Sequence, residues 1–172
     1  MTTTHRRTRY ITAAAAALGA AVTATGCAGG VGQAAPADTA QHHVALVQEG
    51  FARGVGGPDT FYSLLADDVQ WTVARAVAPR TYTSRQEFLD VAAAPIVDRL
   101  TGPIHAEVHE IVADTDRVVA RWRGTATALD GRPYVNEYNW VMSLENDRIT
   151  RVVAYLDFVE LDDLINRVPL AS

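Results

Sequence analysis

The stretch that most constrains the fold is residues 130–158, DGRPYVNEYNWVMSLENDRITRVVAYLDF. From residue 135 to residue 142 the even-numbered positions carry mostly bulky side chains, and the odd-numbered positions carry a mixture of apolar and polar ones. This alternation is typical of a strand with two different faces. A polar turn follows, in which Asn146 or Asp147 takes a positive φ at low cost, and residues 149–158 return as a mostly apolar strand. Upstream, residues 118–128 form a third strand, joined by the hairpin signal Asp130-Gly131. We therefore predict an antiparallel meander.

The first turn predicts which side chains share one face of this meander. If Asp130 and Gly131 are a two-residue loop, Arg121 faces Trp140 and Arg123 faces Tyr138. Facing residues of an antiparallel pair lie on the same side of the sheet. By the same count Asn136 joins that side, and Trp122 is predicted on the opposite one.

The second turn leaves two registers open. A three-residue loop over residues 145–147 places Val152 and Ala154 on the arginine face. A two-residue loop slips the last strand by one and brings Val153 and Tyr155 there instead.

The rest of the chain adds helices and shorter strands. Helices are predicted at 39–53, 59–65, 84–100 and 161–168, and strands at 69–73 and 104–112. Ser84 and Glu87 form a capping box, and Pro95 predicts a kink or break after Ala94. The expected class is α+β, a conical fold of three to four helices packed on a strongly bent antiparallel sheet. A bent sheet covered by short helices leaves a conical cavity, which we expect the arginine face to line.

Two sequence segments resemble those of a known family. Leu65-Ala66-Asp67-Asp68-Val69-Gln70-Trp71 and the ending Tyr155-Leu156-Asp157 are similar to the nuclear transport factor 2-like superfamily, in its SnoaL-like and limonene-epoxide-hydrolase-like branches. The resemblance covers about residues 40–168. It implies the conical fold, and it leaves function open because this superfamily hosts cyclases, isomerases, hydrolases and non-catalytic domains.

The resemblance also implies positions for catalytic residues. In the epoxide-hydrolase-like set the family arginine falls on Arg121, whereas the two aspartates fall on Arg123 and Ala154. The family asparagine falls on Val73, and Trp71 stands at the tyrosine position. In the ketosteroid-isomerase-like set the two aspartates fall on Val73 and Trp140. Without a carboxylate, neither set retains the general base that deprotonates water or substrate.

The predicted ligand-binding residues therefore share aromatic and cationic character. They are Arg121, Arg123, Asn136, Tyr138, Trp140 and Trp71. Guanidinium groups hold a carboxylate or enolate, and rings stack on a flat ligand. The alternative is structural cation–π stacking on a lightly buried sheet face. Arg75 and Arg80 are expected near the cavity mouth.

No catalytic residue is predicted apart from Asp157 as a weak candidate, and capping of the C-terminal helix is the alternative role for this residue. His105, Glu107 and His109 alternate along one strand, which an exposed edge explains as well as a metal does. We predict neither a metal site nor a cofactor.

The N-terminus has the pattern of an export signal. Arg6, Arg7 and Arg9 precede an alanine-rich apolar stretch that is too short to span a bilayer, and small residues lead to Cys27, the only cysteine. This resembles a bacterial lipoprotein signal. The predicted organisation is a signal peptide at 1–26, a flexible tether at 27–38 and a SnoaL-like domain at 39–172. The expected location is the outer face of the cell membrane, with a lipid on Cys27.

Charge narrows the possible partners. Removal of residues 1–26 leaves 12 basic and 20 acidic side chains, a net charge of −8. An acidic domain disfavours nucleic acid as a partner. The expected partners are a small molecule, the membrane through the lipid, and a second copy across the face assigned to Trp122, Val141 and Val153. Two functions remain open: small-molecule binding without a known catalytic set, or an epoxide-hydrolase-like hydrolase or isomerase/cyclase acting on a cyclic or polyketide-like substrate.

The lipid anchor leads to a first testable prediction. Cys27→Ala removes the only thiol that can be acylated, so we expect the protein to leave the membrane fraction and to lose incorporation of a labelled fatty acid in a bacterial host. Cell fractionation and lipid labelling measure the two effects. Thr25→Ser, which keeps a small residue before Cys27, is the matched control. A Cys27→Ala variant that sediments with membranes as the parent does would refute lipidation at this residue.

Overall fold

The structure is a computed structural model that describes residues 36–170. The predicted signal peptide at 1–26, Cys27 and most of the predicted tether lie outside the described residues. No helix within the described residues is long and apolar enough to cross a bilayer.

Helices pack on a six-stranded sheet. In chain order the elements are α1 Pro36–Ala52, a 3₁₀ turn Phe61–Leu64, β1 Leu65–Val73, β2 Arg80–Tyr82, α2 Arg85–Phe88, a π-helical turn Leu89–Ala93, α3 Ala94–Val97, β3 His105–Asp114, β4 Arg117–Thr127, β5 Pro133–Glu145, β6 Arg148–Leu156 and α4 Phe158–Arg167. This arrangement confirms the predicted α+β class.

The sheet is mixed rather than purely antiparallel. Its strand order is β2-β1-β6-β5-β4-β3, and β1 pairs with β6 in parallel while every other pair is antiparallel. The prediction of a purely antiparallel sheet is therefore wrong at one pair. No hairpin joins β1 to β6, so no tight turn forces these two strands to run in opposite directions.

The first helix stops on a local signal. It includes the last residues of the predicted tether, from Pro36 onward. The helix ends before Gly54, whose φ of +78° is in the region that glycine adopts most easily. The second predicted helix, residues 59–65, is only the 3₁₀ turn Phe61–Leu64.

The helix at 85–97 contains its predicted cap and avoids its predicted break. Ser84 Oγ accepts a hydrogen bond from the Glu87 amide at 3.1 Å, and Glu87 Oε2 accepts from the Thr83 amide at 2.8 Å. A π-helical turn ends at Ala93, two residues before Pro95, and continues into α3. Since Pro95 has no N–H to donate, this wider turn lets the helical run continue past it.

The β4–β5 register differs by one residue from the prediction. The loop has three residues, Leu129 to Gly131, closed by a hydrogen bond from the Ala128 amide to the Arg132 carbonyl at 2.9 Å. Gly131 has a φ of +81°, which fits a type I turn followed by a glycine bulge. The Asp130-Gly131 pair is compatible with this three-residue loop as well as with the predicted two-residue loop.

The register change moves several side chains to the other face. Arg121 pairs with Asn139, Trp122 with Tyr138, Arg123 with Glu137, Ala120 with Trp140, and Gly124 with Asn136. Trp122, predicted on the outer face, therefore lies on the inner face with Tyr138 and Trp140. The predicted pairs of Arg121 with Trp140 and Arg123 with Tyr138 are wrong.

The β5–β6 turn combines parts of both predicted registers. Its two loop residues, Asn146 and Asp147, both have positive φ, at 50° and 60°. A further register shift beside Ser143 pairs Trp140 with Ala154 and Met142 with Val152. The bulge compensates for the shorter loop, so Val152 and Ala154 stay on the inner face.

A glycine on β4 permits the packing of the inner face. A Cβ on Gly124 would lie 2.8 Å from Tyr138 Cε2 and from Ile104 Cγ2, and 3.0 Å from Trp122 Cζ3. These atoms belong to buried side chains. The Trp122 and Tyr138 rings, which stack 4.1 Å apart at 11°, therefore need a residue without a side chain between them and Ile104.

Substitution of this glycine tests the packing. We expect Gly124→Ala to lower the free energy of unfolding by about 1–3 kcal/mol, because buried rings must shift to admit the methyl group. Urea unfolding followed by tryptophan fluorescence measures the change. Gly102→Ala is the matched control, since a Cβ there meets no atom within 4 Å, and it should change stability by less than about 0.5 kcal/mol. Equal stability of the two variants would contradict this packing.

Candidate functional site

A cavity of about 370 Å³ lies between the inner sheet face and the helices. Its wall is almost entirely apolar and aromatic, and its polar side chains are of only three types, tyrosine, tryptophan and arginine. The lining residues are Val55, Tyr62, Trp71, Val73, Arg75, Ala78, Arg80, Tyr82, Phe88, Val91, Ala92, Ala93, Pro95, Ile96, Val97, Ile104, Trp122, Tyr138, Trp140, Ala154, Leu156, Phe158, Leu161 and Ile165. This cavity is the candidate site.

All three tryptophans of the chain line the cavity. Trp140 is central, because its ring meets Trp71 at 5.0 Å and Trp122 at 4.8 Å, both nearly edge to face. Two parallel stacks flank it: Trp71 on Phe88 at 4.0 Å, and Trp122 on Tyr138 at 4.1 Å. Edge-to-face and offset stacking are the favoured geometries of aromatic pairs, so these rings pack favourably along the wall.

The predicted arginines are not in this cavity. Arg121 and Arg123 lie on the outer face, with about half of each side chain exposed. Their guanidinium groups approach Glu110 at 3.8 Å and Glu137 at 3.7 Å, distances typical of loose surface pairs. The placement follows from the β4–β5 register, which reverses the face of every β4 side chain relative to the prediction.

Two other arginines carry the positive charge of the site. Arg75 and Arg80, expected near the mouth, are exposed and line the cavity opening. The Arg75 guanidinium lies 4.1 Å from the Phe158 ring centroid, and that of Arg80 lies 4.8 Å from the Tyr82 centroid. Neither forms a salt bridge with an acid of residues 36–170. Each of the two guanidinium groups therefore contacts an aromatic ring and has no carboxylate partner among the described residues.

Asn136 does not line the cavity, but it forms buried hydrogen bonds next to the cavity wall. It is 2% exposed, and its Nδ2 donates to the Tyr134 hydroxyl at 3.0 Å and to the Asp157 carbonyl at 2.9 Å. Its Oδ1 accepts from the Asp157 amide at 2.9 Å. The Tyr134 and Tyr138 hydroxyls are 2.9 Å apart. Asn136 thus joins β5 to the start of α4.

Asp157 takes the capping role that was the alternative to catalysis. Its carboxylate accepts a hydrogen bond from the Val159 amide at 2.8 Å and caps α4. The side chain does not line the cavity. Nothing in this placement favours a catalytic role for Asp157.

Burial keeps the inner tyrosines protonated. Desolvation, with a smaller contribution from Tyr134, raises the pKa of Tyr62 well above its usual value. Desolvation also raises the pKa of Tyr134 and that of Tyr138, the latter by a large amount. All three groups therefore remain neutral phenols at physiological pH, able to donate a hydrogen bond.

The described lining contains no aspartate, glutamate or histidine. Among residues 36–170 no group of three or more His, Cys, Asp or Glu side chains is placed to hold a metal ion. His109, one of the alternating strand residues, instead approaches Glu137 at 3.9 Å on the outer face. The side chains that face the cavity can stack, donate hydrogen bonds and attract an anion.

The family follows from this geometry together with a sequence match. The family model described as a SnoaL-like domain matches residues 40–152. The chain belongs to the SnoaL-like family. Its cone of helices on a bent sheet is the nuclear transport factor 2-like fold.

Solved structures of the same fold have low sequence identity to this SnoaL-like chain. An NTF2-like protein of unknown function from Burkholderia pseudomallei is 20% identical, with a TM-score of 0.54 over 72% of this chain and 96% of that one. A putative isomerase from Rhodopseudomonas palustris is 17% identical, with a TM-score of 0.55 over 73% and 97%. TerC, co-crystallised with polyporic acid, is 18% identical, with a TM-score of 0.55 over 72% and 98%. No curated protein matches the chain.

Three of the six predicted ligand-binding residues line the cavity of this SnoaL-like domain: Trp71, Tyr138 and Trp140. The sequence analysis missed Trp122, because the choice of loop length decided its face. It also missed Tyr62 and Phe88, which reach the cavity from helical segments that give no register to count from. The sequence did contain a signal for the position of Trp122. Gly131 permits a three-residue loop as well as a two-residue loop, and the three-residue loop places Trp122 on the inner face.

Proposed function

We propose that this protein is an exported, lipid-anchored domain that binds a flat aromatic anion in its cavity and performs no carboxylate-based acid–base chemistry. One observation carries the proposal: a buried wall of stacked rings opens between Arg75 and Arg80, two guanidinium groups with no acidic partner among the described residues. Rings favour a flat apolar body, and free cations at the opening favour a negative group on it.

The size and composition of the cavity support this class of ligand. A volume of about 370 Å³ lies within the range of small-molecule sites, which are typically apolar with a few polar groups that set orientation. Domains of this family bind small molecules, and TerC was co-crystallised with an organic acid. The proposed orientation puts the apolar body against Trp140 and the negative group at the mouth.

The hydrolase or isomerase/cyclase alternative has no comparable support. Water activation or proton abstraction in the related schemes needs a carboxylate, and the described lining offers none. Burial raises the pKa of Tyr62 and that of Tyr138, so both lining groups stay protonated at neutral pH and cannot accept a proton as phenolates.

Export and anchoring rest on the N-terminal sequence alone. The basic start, the apolar stretch and Cys27 support a lipoprotein signal, and residues 28–35 are rich in glycine and alanine. On this proposal the cavity samples molecules outside the cell membrane while the lipid retains the domain there.

The binding proposal has a direct optical test. All three tryptophans line the cavity, so intrinsic fluorescence reports its occupancy. We expect anthracene-2-carboxylate to quench it saturably, and to bind about 3–10-fold more tightly than the neutral anthracene-2-carboxamide at low salt. The double variant Arg75→Gln/Arg80→Gln should remove this preference, and added salt should reduce it in the parent.

The outer-face arginine provides the matched control. Arg121→Gln also removes one guanidinium, yet this residue faces away from the cavity, so the carboxylate preference should remain. Absence of saturable quenching in the parent would refute the binding proposal. Hydrolysis of a terpene epoxide by the protein, lost in Trp140→Ala, would instead support the enzyme alternative.

We also propose that two copies pair through the outer sheet face. Neighbouring strands align four valines in one row across this face, Val112, Val119, Val141 and Val153. Val112 is 57% exposed. Trp122, expected to contribute to this surface, is buried inside, so the valine row is what remains to be covered.

A charge in the valine row tests pairing separately from binding. Val141→Asp should convert a dimer to a monomer in sedimentation velocity, because a carboxylate in an apolar interface is desolvated without a partner. Quenching by anthracene-2-carboxylate should persist, since Val141 faces away from the cavity. Val77→Asp, at an exposed loop valine, is the control and should leave the mass unchanged. A parent that sediments as a monomer would refute pairing.

A further inference from the structure

Three exposed valines belong to the segments that form the cavity opening. Val77 and Val159, with 83% and 75% of their surface exposed, are the two most exposed large hydrophobic side chains among the described residues. Val91 is 41% exposed and also lines the cavity. Single exposed apolar side chains are ordinary on a protein surface, whereas a group of them beside a ligand cavity indicates a contact surface. We refer to these three residues as the valine rim.

Neighbouring contacts place Val77 and Val159 at the mouth. Val77 lies in the loop between β1 and β2, between Arg75 and Ala78, which both line the cavity. Val159 follows Phe158, a lining residue whose ring lies 4.1 Å from the Arg75 guanidinium. Neither valine is itself part of the lining. Their side chains are therefore exposed beside the opening rather than inside it.

The loop that carries Val77 has an unfavourable backbone conformation at its next residue. Ala78 has a φ of 51°, and the other non-glycine residues of the described chain with positive φ are Asn146 and Asp147, whose side chains make this conformation easier. Ala78 also precedes Pro79, and a residue before proline favours an extended backbone. Strain of this kind is frequent at ligand clamps. Here it accompanies a valine that faces solvent at the mouth.

The fixed start of α4 holds the other side of the rim. The Val159 amide donates a hydrogen bond to the Asp157 carboxylate at 2.8 Å, which caps the helix directly beside Val159. The Arg75 guanidinium lies over the neighbouring Phe158 ring. The apolar rim thus adjoins a cation that has no salt bridge to an acid of residues 36–170.

We infer that the valine rim is an outer subsite for an aliphatic chain of the ligand, so that the bound molecule is an amphiphilic aromatic acid. The inference rests on the proposed binding function and adds a third part to its ligand. The flat body lies against Trp140, and the negative group lies at Arg75 and Arg80. The alkyl chain extends past these guanidinium groups and covers the rim.

An aliphatic chain fits the rim better than a polar group or a further ring. Valine side chains offer dispersion contacts and apolar surface, and they have neither hydrogen-bonding groups nor a ring face. Each methylene group that leaves water contributes to affinity, and the chain also removes exposed valine surface from water. Because such a chain keeps one side in solvent, the gain should be well below that of full burial.

A pair of matched probes tests the subsite. 2-(Anthracen-2-yl)acetate and 2-(anthracen-2-yl)octanoate share the ring body and the carboxylate, and only the octanoate has a hexyl chain on the carbon that bears the carboxylate. Tryptophan quenching of the full-length protein in detergent gives the Kd of each probe. We expect the ratio of the acetate Kd to the octanoate Kd to be about 3–10-fold higher for the parent than for Val77→Ser/Val159→Ser.

Comparison of ratios isolates the chain from other effects. Uptake of the octanoate by detergent is the same for parent and variant, and a looser cavity changes both Kd values together. Val112→Ser/Leu129→Ser is the matched control, because it also removes two exposed apolar side chains, 57% and 56% exposed, neither of which lines the cavity. This control should keep the parent ratio.

A second pair of variants tests the strained loop. Ala78→Gly still adopts a positive φ easily and should keep most of the parent ratio. Ala78→Pro imposes a φ near −65°, which moves Val77 away from its position, so the ratio should fall toward that of the rim variant. A parent ratio in Ala78→Pro would refute the role of the loop conformation.

The outcomes distinguish this inference from the function on which it rests. If both probes bind and Val77→Ser/Val159→Ser keeps the parent ratio, the subsite is refuted and the binding function stands. If that variant keeps the ratio but has a lower mass in sedimentation velocity, the rim is a contact between copies and the subsite is likewise refuted. If neither probe binds the parent, the binding function fails and the subsite fails with it.

Discussion

The left-handed conformation of Gly131 is the constraint on which the site depends. It closes a three-residue loop between β4 and β5, and that loop fixes eleven residue pairs along the two strands. The resulting register brings Trp122, Tyr138 and Trp140 to one face, where their rings pack. A loop shorter by one residue would put arginines there instead, and the cavity would have a charged wall.

The same turn is linked to the helix that closes the cavity. Asp130 accepts a hydrogen bond from the Arg132 amide at 3.0 Å within the turn, and its carboxylate pairs with Arg167 at the end of α4. The hydrogen bond that Arg167 donates to the Asp130 carboxylate is the main cause of the lowered pKa of Asp130. At the other end of α4, Asn136 holds the Asp157 backbone. Both ends of the helix are thus attached to β5 or its turn, and its residues Phe158 and Leu161 reach the cavity.

Charged groups and aromatic rings occupy different parts of this domain. The inner wall has hydrogen-bond donors and aromatic rings, the mouth has two guanidinium groups, and the acids of the described chain lie elsewhere, paired or in solvent. Donors and cations favour negative charge or lone pairs on a bound molecule, and the described lining contains no carboxylate or histidine. A fold does not by itself specify a function, so the residues that face the cavity decide what this domain can do.

The sequence by itself determined five of the six strands, the capping box of Ser84, the positive-φ turn at Asn146 and the family resemblance, because these depend on local periodicity and on residues with special backbone preferences. It also placed Arg75 and Arg80 near the opening. The short strand β2 was not predicted. Only the tertiary structure decided which face of β4 is inside, because Asp-Gly is compatible with two loop lengths of opposite parity. The contributions of Tyr62 and Phe88, the parallel pairing of β1 with β6 and the hydrogen bonds between Asn136 and Asp157 likewise join residues distant in the chain, and no local pattern specifies such contacts.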